Sequence, residues 1–412
     1  MATALAMLAS VAATNRWESW NAAVHRYHDA DPISYRAIAA AAPGLLHRRV
    51  AEWHAERFIP NYVVGCLAKL FHLGLTPSFR IACVAVAVVI CVVLAELLVR
   101  LRVGTPVAVA CLAVFILNPY GLRYFFFGVG RIADLVFILG AIVAVRGLAL
   151  RAPVSLLGGL LLATVARQTA LPAALVAGLV VATDPAWGRR LGGRAHKFSW
   201  AIGIVVMPIL VYVAIRIVAA PFSGPSPSLE AMTILGPASG AQLLDHVERS
   251  IIPLFAVSAL LAAAGWRAWP QPIRHAWPRF WRLTDPRGGD LGTAIGCLLF
   301  GASIALQPLL LRPQWAQASE PRLAVLGLAP LAVGLALVLR ELGQRRTAIV
   351  SAAAAGSLVA LLALGSLHHI FTVTGPADKA QTVALQAAVA VLAAAIILGL
   401  GHRRALPPAA SR

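Results

Sequence analysis

Apolar runs of about twenty residues recur along the chain, at 81–99, 199–219, 291–311 and 382–400, separated by short polar breaks. A helix rises about 1.5 Å per residue, so roughly 20 residues cross the hydrocarbon layer of a bilayer, about 30 Å thick. Within that layer backbone amides must be satisfied inside the chain, so each run is expected to be a helix. The pattern predicts an all-α polytopic transmembrane bundle of about 11–12 spans, in one integral membrane domain covering residues 1–412. The apolar start at 1–13 is short for a span. It reads either as the apolar core of a signal segment or, preferably, as a short or clipped first helix.

Two stretches break the rhythm. Residues 15–80 form a long segment in which 34–42 and 50–58 read as amphipathic helical pieces separated by Pro43-Gly44. Within it, 61–75 is apolar and reads as an interfacial or re-entrant helix. The second stretch is the pair 154–166 and 170–183, each short for a span and joined at Arg167-Gln168-Thr169. Two short helices meeting at a polar point suggest a cavity that opens there.

Composition supports a membrane protein: 60% of the 412 residues are hydrophobic and 12% charged, about half the charge of an ordinary soluble domain. The net charge of +19 carries no nucleic-acid reading, because the cations are almost all Arg and sit in short clusters between apolar runs. These clusters are Arg100/Arg102, Arg146/Arg151, 189–197, 267–287, 340–346 and Arg403/Arg404. An even number of passes separates consecutive clusters, so all six fall on one face, which the positive-inside rule makes cytoplasmic. The 15–80 segment and the Arg167 break then face outward. The five cysteines lie in or beside apolar runs and form no CxxC motif or disulfide framework.

The chemistry-bearing residues gather on the outward side. Asp29 and Asp31 lie two positions apart after His25 and His28, with Tyr35 one turn later. Paired carboxylates could share a divalent ion, or one could serve as a base. Asp31-Pro32 also reads as a helix start, which leaves Asp29 the better catalytic candidate and Asp31 the second. Arg131 and Asp134 lie one turn apart at the outer end of a span. Charge there costs roughly 2.5–3.5 kcal/mol towards the bilayer centre, unless the two pair with each other or line a cavity. Arg167 has no acid near it in sequence; it needs a carboxylate from another helix or a phosphate, unless its stem carries it to the interface. Glu320 and Arg322 open a late helix. Cations around a few carboxylates suit a substrate carrying phosphate.

These residues resemble the GT-C superfamily of polytopic membrane glycosyltransferases, including its mannosyltransferases, which use polyprenyl-phosphate sugars. Asp29-Ala30-Asp31 followed by Tyr35 is similar to the family's acidic first-loop motif, and Arg57-Phe58-Ile59-Pro60 to its Arg-x-x-Pro. Asp134 matches a second acidic position, Arg167 an Arg after a short helix, and Glu320-Pro321-Arg322-Leu323 a late helix start with Leu in place of an aromatic. The adjacent Asp-Glu pair of protein mannosyltransferases is absent, which leaves metal dependence open.

The resemblance implies a multi-pass plasma-membrane enzyme with its active site on the extracytoplasmic face. Its partners would be a polyprenyl-phosphate-linked sugar donor, membrane lipid, and an envelope glycan, lipid or protein acceptor, with no nucleic acid. Asp29 and Asp31 would be catalytic. Tyr35, Arg57, Arg131, Asp134, Arg167, Gln168, Glu320 and Arg322 would bind substrate and phosphate, with a divalent cation as an optional cofactor. The competing readings are a multi-pass transporter or flippase, a polymerase or ligase of lipid-linked glycans, and a catalytically inert scaffold.

Overall fold

The apolar runs form helices, and the polar triplet Arg167-Gln168-Thr169 separates two short ones. In the computed structural model, residues 1–13, 31–116, 122, 130–224, 290–307 and 325–341 are described. Their helices are α1 (Ala2–Ala13), α2 (Asp31–Ala41), α3 (Glu52–Ala55), α4 (Phe58–Leu70), α5 (Leu75–Arg100), α6 (Thr105–Ile116) and α7 (Ile132–Ala149). They continue with α8 (Pro153–Ala166), α9 (Ala170–Thr183), α10 (Pro185–Leu191), α11 (Arg194–Ala219), α12 (Asp290–Ala305) and α13 (Leu328–Glu341). Among the described residues there is no β-strand, only an isolated parallel bridge between Val50 and Ser223.

Three of these helical segments are long and apolar enough to cross a membrane: Leu75–Arg100, Ile132–Ala149 and Arg194–Phe222. Counting α9 and α10 as one broken span, bent by 80°, makes four. Shorter apolar helices among the described residues include Ala2–Ala13, Phe58–Leu70, Pro153–Ala166, Gly292–Ala305 and Leu328–Leu337. The architecture is all-helical and consistent with a membrane protein.

α7 lies at the centre. Buried residues make up 78% of its apolar window, against 22% for α11, which is peripheral. α7 packs most extensively against α8, and also against α5, α12 and α13. The α7–α8 approach is close because Gly140 faces Gly159 and Ala163: a Cβ at Gly140 would sit 2.5 Å from the Ala163 amide nitrogen. No side chain fits there without moving a backbone. The apolar core includes Phe115, Phe137, Ile138, Leu94, Leu97 and Phe300.

The long early segment folds over one end of this bundle. It ends at Gly74, so Arg80, expected as the last residue of the 15–80 segment, falls inside α5. α2 packs on α4, and Tyr35, Ile38, Val50, Ala55 and Phe58 join Ile215, Ala219 and Phe222 of the α11 end in a second apolar cluster. Val50 donates to the Phe222 carbonyl at 3.0 Å, and Gly224 donates to the Val50 carbonyl at 2.6 Å. The apolar piece expected at 61–75 is α4, too short at 13 residues to span alone.

The charges sort to opposite ends. At one end Glu96 pairs with Arg100 and with Arg146, Arg151 approaches Asp184 at 3.6 Å and donates to Thr293 at 3.2 Å, and Arg340 donates to the Leu101 carbonyl at 2.5 Å. Four arginines from different stretches of chain therefore serve one end of the bundle. The other end carries the α8–α9 join and the folded first segment.

Candidate functional site

The α8–α9 join is built from the interruption read at Arg167-Gln168-Thr169. α8 stops at Ala166, Arg167 is extended (φ −159°, ψ 139°), and α9 starts at Ala170. The kink turns the Arg167 guanidinium inward, where Nη1 donates to Asp134 Oδ1 in a short ion pair. Both side chains are only 3% exposed. The alternative in which Arg167 reaches the interface along its stem does not hold. Its partner is a carboxylate from α7, three residues beyond Arg131, and Arg131 is itself buried.

Two buried guanidiniums and one buried carboxylate thus share the start of α7 and the break after α8. Removing such charges from water costs several kcal/mol each, only partly recovered by pairing. Around them, Gln307 at the end of α12 donates to the Thr169 carbonyl at 2.6 Å. The buried Gln168 Oε1 and Thr169 Oγ1 have no hydrogen-bond partner among the described residues. Unsatisfied buried acceptors are uncommon and mark a place where further polar contact is available.

A second polar group lies where the early segment meets α11. Tyr212 donates to Glu56 Oε1 at 2.9 Å, and the Arg216 Nε approaches the same oxygen at 3.2 Å. Arg216 Nη2 also pairs with Glu52 Oε1. Burial pushes the Glu56 carboxyl above its ordinary range, while the Tyr212 hydrogen bond and Arg216 pull it back in part. His54 Nδ1 and Ser34 Oγ are hydrogen-bonded at 2.9 Å, and the His54 and Tyr35 rings meet edge to face. Arg57 donates to the Tyr35 hydroxyl at 3.4 Å.

The structure brings together four of the predicted site residues in two pairs, Asp134 with Arg167 and Tyr35 with Arg57. The two sites lie at the same bundle end, since Val165, two residues before Arg167, packs on the cluster containing Tyr35. α2 begins at Asp31 with Pro32 in its first turn. The side chain of Asp31 and the whole of Asp29, Glu320 and Arg322 lie outside the described residues.

No family model, curated protein or solved structure matches this chain. The site is read from its own chemistry. Glu52, Glu56, Tyr212 and Arg216 were not singled out as site residues from sequence. The available signal was Arg216, a cation within the apolar run 199–219. Its partners lie more than 150 residues earlier in the chain, which hides the pairing. Among the described residues no group of three His, Cys, Asp or Glu could hold a metal ion, and Glu52 and Glu56 are both engaged by Arg216.

Proposed function

We propose that the chain is a polytopic membrane glycosyltransferase. It would move a sugar from a polyprenyl-phosphate donor to a cell-envelope glycan, lipid or protein acceptor on the extracytoplasmic face. The observation that carries this reading is the buried Asp134–Arg167 pair beside Arg131, at the bundle end opposite the clustered arginines. Charges in an apolar bundle are costly and are kept mainly for function. Their place at helix ends, not midway along a span, suits surface chemistry at a lipid head group better than translocation through a midplane site.

In this reading Arg131 and Arg167 attract the donor phosphate. Asp134 holds the Arg167 guanidinium in place before substrate arrives, so little reorganisation is needed. Gln168 and Thr169 offer polar contacts to sugar hydroxyls. Asp29, with Asp31 as its neighbour, takes the proton from the acceptor hydroxyl. That oxygen bonds to the anomeric carbon as the bond from that carbon to the phosphate oxygen breaks, and polyprenyl phosphate leaves with the electron pair. Tyr35 and Arg57, with Glu320 and Arg322, contribute to substrate binding at the same face.

The test is a transfer assay with purified, reconstituted protein and a panel of radiolabelled polyprenyl-phosphate sugars. One donor should support transfer, and Asp29→Asn should abolish it while donor binding persists. Near-normal turnover by Asp29→Asn would remove Asp29 from the mechanism. Absence of transfer from every donor would remove the function.

A further inference from the structure

One strongly cationic surface of the described chain plays no part in that chemistry. It is the hairpin formed by α10 and the first turn of α11. α10 leaves α9 at an 80° bend and so lies across the direction of the span. Asp184 caps it by accepting from the Ala186 amide at 2.8 Å, and Trp187, 1% exposed, anchors it to the bundle. Gly192 and Gly193, at φ 79° and 137°, turn the chain into α11 with a backbone that side-chain-bearing residues rarely adopt. Arg189, Arg190, Arg194 and His196 are all exposed. Lys197 is buried, its ammonium 5.3 Å from the Phe198 ring centroid.

No acidic residue occurs from Pro185 to Gly224. Asp184, just before, is already approached by Arg151. Arg194, His196 and Lys197 also occupy the first turn of α11, which carries no acid. That is the positive end of the helix dipole, where cations are disfavoured and anions are favoured. Arg189, Arg190, Arg194 and Lys197 thus give the hairpin four cations and no acid between residues 185 and 224.

The level of this hairpin in a membrane follows from the stripe on α11. Phe198, Ile202, Val206, Ile209, Val213 and Ile217 are 40–68% exposed and recur at helical spacing. From Phe198 to Ile217 the helix rises about 29 Å, matching the roughly 30 Å thickness of the hydrocarbon layer. Arg194 lies one turn before the stripe and Arg190 just beyond it, at the level of lipid phosphates.

We propose that this hairpin is a binding site for the phosphate head group of an anionic phospholipid. The Arg190 and Arg194 guanidiniums would hold the phosphate oxygens at the start of α11 while the acyl chains lie along the Phe198–Ile202 side. The site is independent of the proposed glycosyl transfer and lies at the other end of the bundle.

The test is native mass spectrometry of the purified protein with phosphatidylglycerol, cardiolipin and phosphatidylcholine. The anionic lipids should be retained preferentially. Arg190→Gln with Arg194→Gln should weaken their binding by about thirtyfold, taking roughly a fivefold step per arginine near a membrane surface. Lysine at both positions should restore most of the binding, and Arg100→Gln with Arg102→Gln should leave it nearly unchanged. Equal retention of phosphatidylcholine, or of anionic lipid by the double glutamine variant, would overturn the proposal. A loss of binding equal in the Arg100/Arg102 variant would overturn it too, because the effect would then be general charge.

Discussion

The two ends of the bundle use the same side chains for different purposes. At the arginine-rich end Glu96 pairs with Arg100 and Arg146, and these groups are 27–55% exposed. At the other end Asp134 and Arg167 are 3% exposed and held by helix termini within the apolar core. An exposed pair gains little, because water screens it and two long side chains lose freedom. A buried pair is costly to assemble and costlier to break, because the survivor is left as an uncompensated charge. One end bears ion pairs that a membrane protein tolerates; the other bears one that needs a reason.

Breaking the buried pair should have the largest effect. Arg167→Ala should destabilise the fold by about 3–5 kcal/mol, measured by equilibrium unfolding in detergent. Replacing both partners, Asp134→Leu with Arg167→Leu, should recover much of that loss, since the charge penalty disappears with the charges. If glycosyl transfer is right, the double variant folds yet does not transfer sugar. A loss below about 1 kcal/mol for Arg167→Ala would place the pair with the exposed ones.

Glu56 is intermediate, 8% exposed but served by Tyr212 and Arg216. Burial raises its carboxyl in the folded state, so the folded protein holds that proton to a higher pH than the unfolded chain does. Its contribution to stability is therefore full in acid and is lost as pH rises through the raised value. Wild type should gain on Glu56→Gln as the pH falls from neutral through that range, read as the difference in melting temperature between the two proteins. A constant difference across the range would mean that Tyr212 and Arg216 fully offset the burial.

The unequal legibility of the two ends follows from how each is encoded. The α8–α9 break was readable because it is local: residues 154–166 and 170–183 were expected, and the helices are Pro153–Ala166 and Ala170–Thr183. A polar triplet within an apolar stretch leaves little choice. For Arg167 the sequence left two readings open, an anionic partner or a stem reaching the interface; that the partner is Asp134 required the antiparallel packing of α7 and α8. The bridge of α11 to the early segment was not readable, because Glu52, Glu56, Tyr212 and Arg216 are polar residues whose proximity depends on how Phe58 and Phe222 dock. The bend into α10 follows Asp184-Pro185, a helix start whose direction depends on where Trp187 is buried. Of the expected 11–12 spans, three helices among the described residues meet the length and apolarity of a span, or four with the bent pair, and the shorter apolar helices fall below that length.

The smallest effect should come from the arginine-rich end, where it measures the contrast most directly. Arg100 is 55% exposed and Glu96 34%, an i, i+4 pair on the last turn of α5. Glu96 keeps Arg146 at 3.2 Å when Arg100 is gone, so no buried charge is stranded. Arg100→Gln should therefore cost only about 0–1 kcal/mol. The cost should shrink further as salt rises from 0.1 M to 1 M, because the screening length falls from about 10 Å to about 3 Å. The cost of Arg167→Ala should hardly change over the same titration, since mobile ions cannot approach a side chain enclosed by α7 and α8. If both variants respond to salt alike, Asp134 and Arg167 are open to solvent, and the distinction between the two ends fails.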